Sequence, residues 1–223
     1  MAHQAESSAV WIPAFGAASL AAGTAVPAIV EGEKLVLWRS LSGRAHAWED
    51  RCPHRGMRLS LGAVVRGGLA CPYHGWRFGE EGVCNHVPAH PSLQPSQPAR
   101  VAAWQVAEVD AYVWIAPSGG RPTEAPDRDS QGALVPPASR PERAEHVRTL
   151  HIPRPVEAVR GALARLPQQE CWAAAFGASP GSTTVQLAVP AGTACAAKQS
   201  LNARLVALRR ELVASAGMGA EAG

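Results

Sequence analysis

Two short segments combine residue types that bind metal ions. The first reads Cys52-Pro53-His54-Arg55-Gly56, and the second reads Cys71-Pro72-Tyr73-His74-Gly75-Trp76. Each segment supplies one thiol and one imidazole at short spacing, and the two are far enough apart to lie on two facing loops. The pattern therefore predicts that Cys52, His54, Cys71 and His74 converge on one metal site.

The identity of these donors favours an iron–sulfur cluster. Two thiolates suit one iron of a sulfide-bridged pair, and two neutral imidazoles suit the other, which is easier to reduce because its ligands carry less negative charge. Such mixed ligation defines a Rieske [2Fe–2S] centre. A single zinc ion accepts the same donors and is the alternative, although zinc modules usually pair Cys with Cys and His with His.

The sequence around these donors predicts short strands separated by turns. Lys34–Arg39 and Ala45–Trp48 are rich in strand formers and predict a hairpin across the turn Ser42-Gly43-Arg44. Further strands are predicted at 68–70, 102–106 and 111–115, without a competing helical period. Residues 1–120 are therefore predicted to form a mainly β domain, which the family resemblance described below implies to be a β-sandwich with a cluster-binding subdomain.

The second half of the chain changes character. Residues 121–145 are rich in proline and predict a linker. Residues 146–223 predict a small α+β module, with strands at 146–152, 171–176 and 183–189. Pro155 begins a predicted helix with Val156, Val159, Leu163 and Leu166 on one face, ending at Pro167. The last predicted helix carries the leucine stripe Leu201, Leu205, Leu208 and Leu212, which suits either an internal core contact or a homo-oligomer.

Composition excludes several classes of protein. The 223 residues carry a net charge of +3 with 17% charged residues, which gives no support for nucleic-acid binding. An odd number of cysteines, five, does not suit a secreted disulfide scaffold, so a reducing, cytoplasmic location is expected. The uncharged stretch Ala9–Val30 is long enough to cross a bilayer, but its prolines and glycines and its few large apolar residues argue against a membrane anchor.

The chain resembles the Rieske domain found at the N-terminus of ring-hydroxylating and related non-haem iron oxygenases. Besides the two donor segments, the resemblance rests on Trp11-Ile12-Pro13, Leu35–Arg39, Gly82-Val83-Cys84 with Val87-Pro88, and Tyr112–Ile115. Met57 and Tyr73 stand where the respiratory-complex subtype has an additional disulfide. The resemblance implies the lower-potential oxygenase subtype, with one [2Fe–2S] cluster per chain held by Cys52, His54, Cys71 and His74.

An oxygenase of that family also needs a mononuclear iron held by two histidines and a carboxylate. His146 and His151 have a suitable spacing, but they flank a predicted strand, on which residues five apart point to opposite faces. No Asp follows residue 129. The C-terminal module resembles a shortened helix-grip domain, too short for that domain's cavity.

The remaining candidate ligands have simpler interpretations. His86 and His90 lie in a proline-bounded segment and are expected to be solvated. Three cysteines, Cys84, Cys171 and Cys195, are expected to be small buried residues. The donor segments lie among six arginines, which could guide an acidic redox partner or could simply be solvated: Arg44, Arg51, Arg55, Arg58, Arg66 and Arg77.

These observations predict an electron-transfer protein. It is expected to take electrons from a reductase or ferredoxin and to pass them to an oxygenase or another redox acceptor. Two alternatives stay open: a shortened oxygenase α subunit that performs hydroxylation or demethylation itself, and a non-redox module that a metal stabilises.

Overall fold

A computed structural model describes residues 11–92, 99–109, 112–117, 133–135, 144–167, 170–179 and 181–217. Its strands are β1 (Ile12–Gly16), β2 (Ala25–Val30), β3 (Glu33–Arg39), β4 (Ala45–Glu49), β5 (Ala63–Val65), β6 (Gly68–Ala70), β7 (Arg77–Gly79), β8 (Cys84–His86), β9 (Ala103–Val109), β10 (Tyr112–Ala116), β11 (Ala133–Val135), β12 (Ala144–Ile152), β13 (Trp172–Ser179) and β14 (Ser182–Pro190). The helices are α1 (Val156–Leu163) and α2 (Cys195–Gly217). The fold is mainly β with a C-terminal helix, as the sequence predicted.

The first sheet is antiparallel, in the order β1-β10-β9-β4-β3-β2. The predicted hairpin is confirmed: β3 pairs with β4, with Val36 opposite Trp48. The sheet curls, because Ala14 on β1 and Val30 on β2, at its two edges, pack in the same hydrophobic cluster. That cluster lies on the concave side of the sheet.

The second sheet, in the order β11-β13-β14-β12, carries both helices on one face. Leu201, Leu205 and Leu208 of α2 are buried against that face, so the predicted leucine stripe makes an internal core contact. Helix α1 begins directly after Pro155, as predicted, but it ends at Leu163, and Leu166 packs from the turn that follows. The predicted strands at 146–152, 171–176 and 183–189 are confirmed with longer bounds.

The opposite face of the second sheet packs against the first sheet. Phe176 joins the hydrophobic cluster inside the first sheet. The Gln186 amide donates a hydrogen bond to the Ala14 carbonyl at 2.9 Å. At the β2–β3 turn, the backbone N–H groups of Glu31 and Gly32 donate to the carbonyls of residues 177 and 178, each at 2.7 Å. These hydrogen bonds attach the two sheets to each other.

The third sheet, β5-β6-β7-β8, carries one of the two donor segments. Cys71–Trp76 connects β6 to β7, and Cys52–Met57 follows β4 of the first sheet. Trp38, Trp48, Leu59 and Phe78 form a hydrophobic cluster that also contains both cysteines. The two donor segments are therefore anchored on a shared core.

The predicted linker differs in part from the structure, whereas the apolar stretch Ala9–Val30 agrees with the prediction of short strands. Most of the predicted linker at 121–145 lies outside the described residues, but Ala133–Val135 form β11, which pairs with β13. The described part of the apolar stretch Ala9–Val30 forms β1, a short 3-10 turn and β2 rather than a helix. In the described ranges, no helix combines the length and apolarity that crossing a membrane requires.

Candidate metal centre

The first donor segment, called here the first ligand loop (Cys52–Met57), is closed by its own backbone. The Cys52 N–H donates to the Met57 carbonyl at 2.8 Å, and the Gly56 N–H donates to the Cys52 carbonyl at 2.8 Å. Gly56 has φ +72°, a conformation that a residue with a Cβ adopts at a cost. The tight turn keeps Cys52 and His54 within one short loop.

The second ligand loop (Cys71–Trp76) repeats the same hydrogen bonds. The Cys71 N–H donates to the Trp76 carbonyl at 2.8 Å, and the Gly75 N–H donates to the Cys71 carbonyl at 3.1 Å. Gly75 has φ +69°, close to the value at Gly56. The two loops therefore have the same backbone hydrogen-bond pattern. Each carries a cysteine at its start and a histidine two or three residues later.

The two loops face each other and group their donors by kind. His54 Nδ1 and His74 Nδ1 lie 3.2 Å apart. The Cys52 and Cys71 thiols are close enough to interact. The pKa of Cys52 is raised above its ordinary value, chiefly by burial and also by the Cys71 thiol. Backbone N–H groups directed at the Cys52 sulfur oppose this rise. The predicted site residues are thus brought together as an imidazole pair and a thiol pair.

The two pairs differ in their exposure to solvent. Cys52 and Cys71 are 2% and 4% exposed, whereas both histidines are exposed. Partial desolvation lowers the pKa of His54 below its ordinary value, and the neighbouring His74 and Arg55 lower it further. The thiol pair faces the protein interior and the imidazole pair faces outward.

Each imidazole has an aromatic neighbour from the second loop. The Trp76 ring stacks on His54 with centroids 4.3 Å apart and planes at 6°, and the Tyr73 ring stacks on His74 at 3.8 Å and 25°. Sequence reasoning assigned no role to these rings, although both adjoin a donor residue. The stacking restricts the orientation of the imidazole planes.

The first loop is also braced by a buried carboxylate that sequence reasoning missed. Asp50 accepts hydrogen bonds from the backbone N–H and the hydroxyl of Ser60 and from Nε of Arg58, at 2.6, 2.7 and 3.0 Å. Asp50 and Arg58 flank the first ligand loop. The carboxylate therefore fixes both ends of that loop to each other.

The donor arrangement fits a binuclear cluster. Two thiolates and two imidazoles, gathered as like pairs, supply two donors to each of two metal ions, whereas a structural zinc ion takes its four donors at one centre. Among the described residues, no three His, Cys, Asp or Glu side chains form a group suited to one metal ion. Cys52 and Cys71 would hold one iron, and His54 and His74 the other.

His146 and His151 lie on the same face of β12, so the prediction that they point to opposite faces was wrong. A β-bulge shifts the register between His146 and Arg148. His146 Nε2 lies 3.1 Å from Gln186 Oε1 and 3.2 Å from Thr149 Oγ1. Its ring also meets the Tyr112 ring edge-on, so these contacts fix it between the sheets.

The other sequence candidates lie apart from the ligand pairs. His86 ends β8 and is half-buried, and His90 is exposed in a turn. Cys84 is half-buried and Cys171 is buried, but Cys195 is exposed at the start of α2, so its predicted burial was wrong. Arg51, Arg55 and Arg77, which lie in or next to the ligand loops, are exposed, and Arg66 is exposed in the turn between β5 and β6.

The region that carries the ligand loops is similar to a known protein family. Residues 10–104 match the family model of the Rieske [2Fe-2S] domain. Chlorophyllide a oxygenase of Chlamydomonas reinhardtii is 42% identical over 128 residues, which are 56% of this chain and 19% of that protein. The 3-chlorobenzoate-3,4-dioxygenase oxygenase subunit of Comamonas testosteroni is 43% identical over 107 residues, 47% of this chain and 25% of that protein. The chain thus spans a quarter or less of these relatives.

Solved structures extend the likeness beyond that domain. NdmA of Pseudomonas putida CBB5 superposes with a TM-score of 0.68 at 19% identity, over 89% of this chain and 78% of that one. Dicamba monooxygenase bound to 3,6 dichlorosalicylic acid superposes with a TM-score of 0.69 at 18% identity, over 95% of this chain and 89% of that one. The shared fold therefore includes the second sheet and its helices.

Proposed function

We propose that this chain, which carries a Rieske [2Fe–2S] domain over residues 10–104, is an electron-transfer protein whose cluster is held by Cys52, His54, Cys71 and His74. A domain of this family binds a [2Fe–2S] cluster, which accepts and releases one electron at a time. The observation that carries the proposal is the pairing of the donors, with the thiols buried and the imidazoles exposed.

The exposed imidazole pair is the proposed route for electrons. His54 and His74 point toward solvent while the cysteines are covered, so a partner protein can approach the cluster most closely through these two rings. Trp76 and Tyr73 hold the ring planes, which keeps the approach geometry fixed. Backbone N–H groups of His54 and Arg55 directed at the Cys52 sulfur stabilise its thiolate form.

A positively charged surface around the imidazoles favours acidic redox partners. Arg51, Arg55 and Arg77, in or next to the ligand loops, are exposed, and in the described part of the chain none of them forms an ion pair. Such a surface attracts an acidic protein and speeds its encounter. The proposed donor is a reductase or ferredoxin, and the proposed acceptor is an oxygenase or another redox protein of the cytoplasm.

The proposed domain division follows the same logic. Residues 1–120 form the electron-transfer domain, 121–145 connect it to the rest and contribute β11 and the start of β12 to the second sheet, and 146–223 form a module that covers one side of the domain. The hydrogen bond from Gln186 to the Ala14 carbonyl supports this covering role.

The second candidate function is an oxygenase that carries out its own substrate oxidation. The observation in its favour is the common fold with dicamba monooxygenase over 95% of this chain. It would need a mononuclear iron, and the only histidine pair with family-like spacing includes His146, whose ring is engaged with Tyr112, Thr149 and Gln186. We therefore favour the electron carrier.

The cluster is tested by metal analysis and electron paramagnetic resonance of anaerobically purified protein. We expect about two iron and two sulfide per chain and a Rieske-type signal after reduction. Cys71→Ala and His74→Ala should lose the signal, whereas the matched controls Cys84→Ala and His86→Ala should keep it. Stoichiometric zinc without iron, in protein produced with ample iron, would contradict the proposal.

The proposed electron route is tested by stopped-flow reduction with an acidic plant-type [2Fe–2S] ferredoxin. Reversing the charge in Arg55→Glu and Arg77→Glu should slow the second-order rate by about tenfold at low salt, because steering by the surface is lost. Arg210→Glu, on the exposed side of α2, is the control and should keep the rate. A native rate that does not fall with rising salt would exclude an electrostatically guided encounter.

A further inference from the structure

A cavity of about 390 Å³ lies between the two large sheets, and Arg58, directly after the first ligand loop, is part of its lining. Its walls come from strands at both edges of the curled first sheet and from the face of the second sheet that bears no helix. The lining residues are Ala14, Phe15, Pro27, Ala28, Ile29, Val30, Arg58, Thr149, His151, Phe176, Ala178, Ser182 and Thr184. The volume is within the range of small-molecule sites.

The deep part of the cavity is apolar and its width is fixed. Ala14, Val30, Phe176 and Ala178 are all buried, and the alanines leave the space that larger side chains would fill. The sheets are tied together near the cavity by the hydrogen bond from Gln186 to Ala14 and by those from residues 31 and 32 to residues 177 and 178. The cavity therefore cannot close by a simple approach of the sheets.

The more exposed part of the lining is polar and carries a cation. Arg58 is about half exposed and uses Nε for its bond to Asp50. In the described chain its two terminal nitrogens make no hydrogen bond. His151 uses Nδ1 for a 3.0 Å contact with Thr184 Oγ1, and it is exposed. Arg58 is thus held in place by one nitrogen and has donors left for a ligand.

The opposite face of the second sheet is covered by the two helices. There α1 and α2 pack a continuous cluster that includes Ile152, Leu163, Leu187 and Leu205, all fully buried. A helix-grip fold would place a ligand between sheet and long helix, but that region is filled here. The cavity between the sheets is a separate place in the molecule.

We propose that this cavity binds a small apolar carboxylate, such as an alkyl-substituted benzoate. The carboxylate pairs with the terminal nitrogens of Arg58, in the fork geometry that a guanidinium offers to carboxylates. The ring and alkyl group contact Phe176, Val30 and the alanines, where burial of apolar area supplies affinity. A neutral ligand of the same shape would gain the apolar contacts but not the charge-assisted hydrogen bonds.

The experiment is isothermal titration of the cluster-loaded full chain with 4-isopropylbenzoate and with its neutral amide. We expect the carboxylate to bind at least about tenfold more tightly than the amide, which corresponds to one charge-assisted contact. Arg58→Gln should weaken carboxylate binding about tenfold and leave amide binding unchanged. Arg66→Gln, an exposed arginine outside the lining, is the matched control and should bind like the native chain.

A second variant tests the apolar end without touching Arg58. Ala28→Phe on β2 fills part of the cavity and should weaken both ligands by about tenfold or more. Visible absorbance of the cluster checks that each variant is folded. The proposal is overturned if the native chain binds neither ligand at millimolar concentration, if the amide binds as tightly as the acid, or if the folded Ala28→Phe variant binds both ligands as the native chain does.

Discussion

Replacing the left-handed glycines of the two ligand loops by alanine should destabilise the protein to different extents. Gly56 and Gly75 have nearly the same φ, +72° and +69°. An alanine in this conformation costs about 1–2 kcal/mol, partly offset by about 0.4–1 kcal/mol because the unfolded chain loses freedom. The backbone term is therefore about 1 kcal/mol at both positions.

The expected destabilisation differs between Gly56 and Gly75 because an added Cβ meets different neighbours at the two positions. At Gly56 the nearest atom is Arg51 Nε at 3.5 Å, an ordinary contact, whereas at Gly75 it is Pro88 Cγ at 3.0 Å. Because a proline ring cannot rotate away, Gly75→Ala must displace the loop, at about 1 kcal/mol more. Gly67, with φ +80° and no atom within 4 Å, provides a control for the backbone term alone.

Thermal unfolding followed by loss of visible absorbance measures these differences. For a chain of this size about 1 kcal/mol corresponds to a Tm change of about 2–4 °C. Gly56→Ala and Gly67→Ala should each lower Tm by about that amount, and Gly75→Ala by about twice as much. Adding Pro88→Ala to Gly75→Ala should remove the excess. Equal shifts at Gly56 and Gly75, or no recovery in the double variant, would refute the assignment of the excess to the proline contact.

Three further outcomes are expected. Changing His146 and His151 together to Ala should leave the iron content and the electron paramagnetic resonance signal of the cluster unaltered. Loss of one iron per chain, with the cluster signal retained, would instead support an oxygenase. Burial lowers the pKa of His46 below its ordinary 6.5, so the unfolded chain takes up the proton first as pH falls. The free energy of unfolding, measured in urea, should therefore decrease as the pH falls below 6.5. The decrease should be smaller in the His46→Phe variant, and the same decrease in both proteins would refute this prediction. Burial, together with a nearby carboxylate, raises the pKa of Cys171 to about 11. A thiol reagent at pH 8 should therefore modify the exposed Cys195 before Cys171. Mass spectrometry measures the two rates, and equal rates would contradict this prediction.

The elements that the sequence predicted well are those defined by local patterns. The hairpin at β3 and β4 follows from strand formers around a glycine turn, and α2 follows from its leucine spacing. The candidate donors were named from their residue types and short spacing, and the structure brings these four side chains together within two loops. Their pairing by kind depends on how the loops face each other, which no local pattern specifies.

The errors arose where a neighbouring strand decides the local structure. The bulge between His146 and Arg148 is visible only once β12 is paired with β14, and it reverses the face on which His146 lies. Strand β11 forms in a proline-rich segment because β13 offers an edge to pair with. Asp50 braces the first ligand loop partly by accepting hydrogen bonds from Ser60, and the sequence does not indicate that these two residues meet.

The hydrogen bonds between the β2–β3 turn and β13 have a consequence for aggregation. Strands at the ends of a sheet expose backbone donors and acceptors that can recruit strands from other molecules. Here the N–H groups of Glu31 and Gly32 are occupied by carbonyls of the second sheet, and the Ala14 carbonyl on β1 is occupied by Gln186. A fragment that stops after β10 would uncover these groups together with the half-buried Phe15 ring. We expect such a fragment to self-associate through its sheet edges. The second sheet would then protect the first sheet from pairing with strands of other copies of the chain.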